Sequence, residues 1–389
     1  MDDSRYLIVG GGMTGHAAAA AIREADPDGG IAMLSAEPDR PYARPPLSKG
    51  LWLGKPEEQV FLPEVPGLAL RAGRRAVALD VRAREVRDDR GEVHRYEKLL
   101  LATGGVPRRL PFGGERVLYF RTLADYRRLR AVEGRRIAVI GGGFIGSELA
   151  ASLTASGKDV TMIFPEAAVG ARAYPAELAA FVTRTFAEKG VRVLPGETVA
   201  AVEPRGDATM VRTGTGREVV ADAVVAGLGI RPDTALAEAA GIRCSDGIEV
   251  DEALETSAPG VFAAGDVARF PNDALGERVR VEHEDAALTM GRVAGRNMAG
   301  AGERYAHLPF FYSDMFDLGY EAVGRLDPGL ETVASWKTPF REGVVYYLEG
   351  DRVRGVLLWG IFGQVDAARA LIAGRAPASR ETLADAIRT

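Results

Sequence analysis

Apolar positions in the first half of the chain fall into a block that occurs twice. Residues 6–9 (Tyr-Leu-Ile-Val) are a short unbroken apolar run, followed by a cluster of glycines and an alanine-rich stretch over 16–24. Residues 137–140 (Ile-Ala-Val-Ile), a second glycine cluster and the stretch 147–155 repeat that order. Runs this short and this apolar predict buried strands, and the longer stretches after them predict helices, so each block reads strand, tight turn, helix. Further apolar runs predict strands at 31–35, 99–101, 160–164, 248–250 and 261–263. Beyond residue 302 the pattern changes to aromatic-rich short segments at 310–312, 321–324, 331–335, 344–348 and 353–359, then a helical stretch at 364–373. That order predicts a small antiparallel sheet with a helix on one side.

The two turns carry the first chemical information. They read Gly10-Gly11-Gly12-Met13-Thr14-Gly15 and Gly141-Gly142-Gly143-Phe144-Ile145-Gly146. In such a turn the first glycine permits the bend, the second lets a pyrophosphate approach bare backbone, and the third lets helix pack on strand. The helix N-terminus then offers unpaired N–H groups and a positive dipole end to phosphate. After each turn an apolar strand ends in an acid, Glu37 and Glu166, placed to accept hydrogen bonds from an adenosine ribose. Two complete fingerprints predict two bound dinucleotides. Glu166 repels a 2'-phosphate and so favours NADH over NADPH, while Arg172 is near enough in sequence to leave NADPH possible. The fold class expected is α/β: two Rossmann-type domains, the second inserted in the first, then a C-terminal α+β domain.

At 389 residues the chain is long enough for two or three domains. The net charge of -5 argues against nonspecific nucleic-acid binding. No apolar stretch reaches the roughly 18 residues of a membrane span. Arginines cluster at Arg71/Arg74/Arg75, Arg127/Arg128/Arg130 and Arg135/Arg136, as solvated faces or a docking patch for an acidic protein. The single cysteine, Cys244, excludes an intramolecular disulfide and a Cys-x-x-Cys pair, and no Cys/His cluster suggests a metal. Residues 1–4 lead into the first strand without a basic or amphipathic leader, from which a cytoplasmic location is expected.

Two more motifs, Ala102-Thr103-Gly104-Gly105 after a buried strand and Gly265-Asp266 after another, carry a resemblance. Together with the fingerprints they resemble the FAD-dependent pyridine nucleotide oxidoreductases of the glutathione-reductase fold. Pro41-Tyr42-Ala43-Arg44-Pro45-Pro46-Leu47-Ser48-Lys49, Val281-Glu282-His283 and Tyr312-Ser313-Asp314 narrow the resemblance. They are similar to oxygenase-coupled NADH-ferredoxin reductases and to apoptosis-inducing factor. The resemblance implies an FAD domain of residues 1–112 and 235–308, an inserted NAD domain of 113–234, and an interface domain of 309–389. It implies FAD binding by Gly10, Gly12, Met13, Thr14, Gly15, Glu37, Arg44, Lys49, Val77, Ala102, Thr103, Gly104, Arg121, Gly265, Asp266, His283 and Tyr312. Asp266 would hold the ribityl chain, and Arg44 and Arg121 the phosphates. NAD would be bound by Gly141, Gly143, Phe144, Ile145, Gly146, Glu148, Glu166, Arg172, Gly229, Glu282 and His283. Lys49, beside the flavin and paired with Glu148, is the candidate catalytic pair; on local grounds alone Lys49 is a solvated lysine and His283 a surface or capping residue.

Disulfide reductases and NADH peroxidases of this superfamily carry cysteine in the segment that here reads Arg44 to Lys49, and there is none. Cys244 lies in a polar turn and is expected to be incidental. What remains is hydride transfer from nicotinamide to flavin, the protein supplying orientation and electrostatics. The resemblance then implies an NADH-dependent reductase passing single electrons to a ferredoxin- or rubredoxin-like carrier, as monomer or homodimer. The alternative is a redox sensor or scaffold similar to apoptosis-inducing factor, holding NADH in a charge-transfer complex. Tyr312 replaces a Trp and Gly360 an Asn of that factor, and residues 335–344 leave no space for its regulatory insertion.

Overall fold

The computed structural model describes residues 2–374, 377–384 and 386–387, so the outer ends expected for the first and third domains, Met1 and Thr389, lie outside the described residues. The chain forms two compact units. One comprises Met1–Ala43, Glu57–Val106 and Arg231–Pro309, the other Arg44–Pro56, Pro107–Ile230 and Phe310–Thr389.

The first unit is built on five parallel strands in the order Leu68–Ala72, Ile31–Ser35, Asp2–Val9, Val93–Leu101 and Val261–Ala263. A parallel sheet covered on both faces needs apolar side chains on every residue. Leu7, Ile8, Leu99, Leu100 and Leu101 are all fully buried, which is why these runs do not alternate. Each such side chain contributes about 1.5–3 kcal/mol. The helices Met13–Ala25 and Glu284–Met298 pack closely on each other. Gly291 and Gly295 make this possible: a Cβ on either would collide with the backbone of the first helix at Thr14 and Ala18. That approach brings the start of the later helix, just after Glu282 and His283, into the layer that holds the first glycine turn.

In the second unit the parallel sheet runs Arg192–Pro195, Asp159–Phe164, Arg136–Ile140, Ala223–Ala226 and Val117–Tyr119. The sequence repeat is also a repeat of hydrogen bonds. Gly10 donates its N–H to Leu34 and Gly141 donates to Ile163, both at 2.9 Å. Ala102 donates to Val9 at 2.8 Å and Gly227 to Ile140 at 2.9 Å. The fifth strand differs in chain order: it follows the other four in the first unit and precedes them in the second. A three-stranded meander, Val199–Arg205, Ala208–Thr213 and Glu218–Ala221, accompanies the second sheet.

The last part of the second unit is the antiparallel sheet expected from the pattern. Its order is Phe310–Met315, Leu318–Gly324, Arg352–Trp359, Glu342–Glu349 and Glu331–Thr338, with helix Val365–Ala373 against it. Two hairpin tips carry Phe316 (φ 58°) and Phe340 (φ 57°), a conformation side chains rarely adopt. Both rings are held on helix Ala176–Glu188, Phe316 against Phe186 at 5.2 Å and Phe340 against Phe181 at 5.5 Å. Ring burial offsets the backbone strain.

Two local expectations change. The fingerprint helices begin at Met13 and Phe144 rather than at 16 and 147, because each third glycine must sit inside the first turn. A Cβ on Gly15 or Gly146 would strike the carbonyl of Gly10 or Gly141. Pro45–Ser48 forms a 3-10 turn, since Pro at its start needs no donor and has a suitable φ. Cys244 belongs to a two-residue strand, Cys244–Ser245, that pairs with Gly247–Glu249. No helix among the described residues is long and apolar enough to cross a membrane.

Candidate nucleotide sites and the buried Lys49–Glu148 pair

The two glycine turns have the same construction. Gly10 (φ 124°) and Gly141 (φ 116°) lie where other residues are strained, and a Cβ on them would strike the carbonyls of Ala102 and Gly227. Gly12 and Gly143 differ, since a Cβ there meets nothing within 4 Å. Protein packing therefore does not require glycine at these two positions, and the space beside them is open to close approach by a bound group. Neither helix has a side-chain cap or an acid in its first turn. By contrast, helix Leu123–Arg130 is closed by a Thr122–Asp125 capping box. The fingerprint helices thus begin without a side-chain cap and with an unneutralised dipole, which suit a phosphate.

Around the first turn the structure gathers several of the expected FAD residues. Glu37 follows strand Ile31–Ser35 and accepts from the Tyr42 hydroxyl at 2.5 Å. Thr103 donates to the Asp233 carbonyl at 2.7 Å, next to Gly104. Gly265 (φ 77°) opens the turn that holds Asp266, and a Cβ there would strike Thr14 of the first helix. Val77 is 52% exposed on an edge strand, at a register shift between Ala76 and Ala78. His283 begins helix Glu284–Met298 without a side-chain cap bond, and desolvation pushes its pKa down to about 4, so the ring is neutral at pH 7. Glu282 accepts from Arg280 at 2.9 Å.

Around the second turn, Phe144 and Ile145 are exposed at 40% and 41%, unusual for large apolar residues at a helix start. Phe144 leans on Phe311 at 5.2 Å. Glu166 lies just past strand Asp159–Phe164 and is paired with Arg172 at 2.5 Å. Gly229 (φ 76°) follows Gly227 as Gly104 (φ 66°) follows Ala102.

Arg44, Lys49, Arg121 and Tyr312 are in the second unit, with Glu148. Arg44 donates to the Arg121 carbonyl at 2.8 Å. Glu148 projects from the second fingerprint helix and is 4% exposed. Lys49 and Ser313 donate to its Oε1, each at 2.7 Å, and Ser48 donates to its Oε2 at 2.5 Å. The Lys49 ammonium also sits 4.6 Å from the centre of the Tyr312 ring. The segment is pinned from behind: Ser152 donates to the Ser48 carbonyl at 2.9 Å, Trp52 to Leu47 at 2.9 Å and Tyr126 to Leu51 at 3.3 Å. A buried carboxylate that accepts from a lysine and two hydroxyls is held in one orientation.

The profile of the pyridine nucleotide-disulphide oxidoreductases matches residues 4–291, most of the chain. The chain belongs to this family. A second profile, the C-terminal domain of mitochondrion-associated apoptosis-inducing factor, matches residues 294–339 and 335–374. The chain is 38% identical over 403 residues to the ferredoxin–NAD(+) reductase component of the anthranilate 1,2-dioxygenase system of Burkholderia cepacia, covering 99% of this chain and 98% of that protein. It is 31% identical to mitochondrial apoptosis-inducing factor 1 of Dictyostelium discoideum, covering 96% and 79%. Among solved structures, putidaredoxin reductase in its covalent complex with putidaredoxin superposes with a TM-score of 0.91 at 31% identity, covering 99% and 96%.

The cofactors of this oxidoreductase family are FAD and NAD(H), and the open positions at Gly12 and Gly143 fit two dinucleotides. Unlike the disulphide-reducing members implied by the family name, this oxidoreductase has no cysteine in residues 44–49. Cys244 is half-buried and burial pushes its thiol up to about 11, away from thiolate chemistry. Asp88, Glu92 and His94 bring three potential ligand atoms within 4.8 Å of one another, but Arg74 lies 2.7 Å from Asp88 and 3.3 Å from Glu92. That guanidinium supplies the positive charge there. Ser48 and Ser313 escaped the sequence reading as site residues although both flank residues it named. Gly227, Gly291 and Gly295 escaped it too; the four-residue spacing of the last two was the available signal.

Proposed function

We propose that this chain is an NADH-dependent ferredoxin-type reductase. The observation that carries the reading is the pair of matching dinucleotide turns in a chain without a cysteine in residues 44–49. The cofactors supply the redox chemistry: hydride passes from nicotinamide to flavin, and single electrons leave for a ferredoxin- or rubredoxin-like carrier. Gly10, Gly12, Met13, Thr14, Gly15, Glu37, Val77, Ala102, Thr103, Gly104, Gly265 and Asp266 belong to the FAD site in this reading, with Arg44, Lys49, Arg121, Tyr312 and His283. Gly141, Gly143, Phe144, Ile145, Gly146, Glu148, Glu166, Arg172, Gly229, Glu282 and His283 belong to the NAD site. Glu148 fixes the Lys49 ammonium through a 2.7 Å bond, and that ammonium would stabilise negative charge on a bound flavin.

Residues 1–112 and 235–308 form the FAD domain, 113–234 the NAD domain and 309–389 the interface domain. The protein works in the cytoplasm, as monomer or homodimer. Relatives named as ferredoxin reductases over nearly the whole chain support the carrier. The test is NADH-dependent reduction of a panel of ferredoxins by the FAD-loaded protein. A charge-transfer band that persists for minutes in air, with no ferredoxin reduced, would support the sensor reading instead. Stopped-flow reduction of Glu148→Ala by NADH tests the pair; an unchanged rate rejects its role.

A further inference from the structure

The hairpin around Cys244 has no part in the chemistry above, yet its turn is built around one side chain. Gly247 (φ 111°) ends the turn, and a Cβ there would lie 2.6 Å from the Val267 carbonyl and 2.9 Å from Cδ of Arg280. The turn has no side chain at this position, and Arg280 passes through the space.

Arg280 is only 9% exposed. Its Nη1 donates to the main-chain carbonyl of Asp266 at 3.1 Å and to the Glu282 carboxylate at 2.9 Å, while its Nε lies 3.2 Å from Asp246 of the same hairpin. One guanidinium therefore hydrogen-bonds two segments, the Gly265–Val267 turn and the residues leading into helix Glu284–Met298, and faces a carboxylate of a third, the Asp246–Gly247 turn. Asp246 is 67% exposed, so its charge is largely screened. Glu282 is itself 39% exposed, so the part-buried bond to the Asp266 carbonyl carries most of the effect.

We propose that Arg280 is a positioning residue that locks the Asp266 turn to the Glu282–His283 segment. This rests on the reading above, in which Asp266 holds the flavin ribityl chain. Both hydrogen bonds leave from Nη1, which the planar guanidinium fork holds in a fixed place while its Nε side faces Asp246; a lysine ammonium is a compact, rotatable donor on a flexible stem and lacks that fixed geometry. Without the fork the turn that orients the Asp266 carboxylate loses its outer support, and so does the residue before His283.

The test is the rate of FAD release from the loaded protein, followed by the fluorescence of free FAD on dilution. Asp266→Asn and Arg280→Met are each expected to release FAD about tenfold faster than the starting protein. The double variant should release it no more than about threefold faster than the worse single variant, because both changes act on one bond set. Arg280→Lys keeps the charge and the packing, and is expected to recover less than half of the loss on a logarithmic scale. Arg280→Met at the starting rate beside a fast Asp266→Asn would overturn the proposal, as would a double variant in which the two factors multiply. A normal rate for Asp266→Asn would locate the failure in the placement of Asp266 at FAD. Should Arg280→Met fail to accumulate as folded protein, Arg280→Lys alone decides: release as slow as the starting protein refutes the role of the fork.

Discussion

Replacing Glu148 by Gln probes the most enclosed charge in the site. The substitution keeps shape and removes charge, and it leaves Lys49, Ser48 and Ser313 directed at one acceptor oxygen and one amide donor. Removing one member of a fully buried ion pair costs about 3–5 kcal/mol. Here the Lys49 side chain is 14% exposed and keeps the Tyr312 ring at 4.6 Å, so part of the loss is recovered. A cation over an aromatic ring retains about 0.5–2 kcal/mol, leaving an expected loss of about 2–3 kcal/mol. For a folding unit of roughly 200 residues that lowers the melting midpoint by about 5–10 °C. The partner change, Lys49→Met, strands the carboxylate between two hydroxyls and should cost a similar amount. The double variant removes both charges, leaves a glutamine that two serines can satisfy, and should be about 2 kcal/mol more stable than the sum predicts. Urea unfolding of the four proteins with FAD in excess measures this cycle. Single effects that add to within about 0.5 kcal/mol would refute the claim that the pair is a coupled, desolvated unit.

Gly12→Ala and Gly10→Ala separate ligand approach from protein packing. The first should fold normally and lose FAD affinity, whereas the second should unfold the first unit, as FAD titration and circular dichroism would show. Arg172→Ala should lower kcat/KM for NADPH about tenfold, the value of one charge-assisted hydrogen bond, and leave that for NADH within about twofold. A parallel fall for both nucleotides would place Arg172 outside discrimination. His283 is held to about 4 in the folded chain against 6.5 when unfolded, so the unfolded state binds the extra proton between those values. Stability is then complete above pH 6.5 and falls as pH drops toward 4, by at most about 3 kcal/mol. His283→Gln should flatten that part of the pH profile of urea unfolding, and a profile parallel to the starting protein would disprove it. Phe316→Ala keeps the strained turn and removes its ring from Phe186, so it should destabilise the second unit by about 3–4 kcal/mol in thermal unfolding.

Local rules determined a large part of this protein. A turn whose first glycine has φ above 110° and whose third glycine touches a carbonyl cannot be built from other residues, so both nucleotide turns were legible as strings. Fully buried parallel strands must be apolar throughout, and the runs at 6–9, 99–101 and 137–140 declared themselves for that reason. The C-terminal sheet was visible because its short aromatic-rich segments suit strands. Contacts between distant residues left no such mark. Ser48 and Ser313 are separated by the whole second fingerprint, and only packing brings both hydroxyls to the Glu148 carboxylate. Arg280 is one of many arginines in the sequence; its importance comes from a glycine more than thirty residues away that leaves it space. Backbone geometry is written in neighbouring residues, whereas the partner of a long side chain is decided by the fold, because each donor can reach acceptors from any segment that folding brings within about 3 Å.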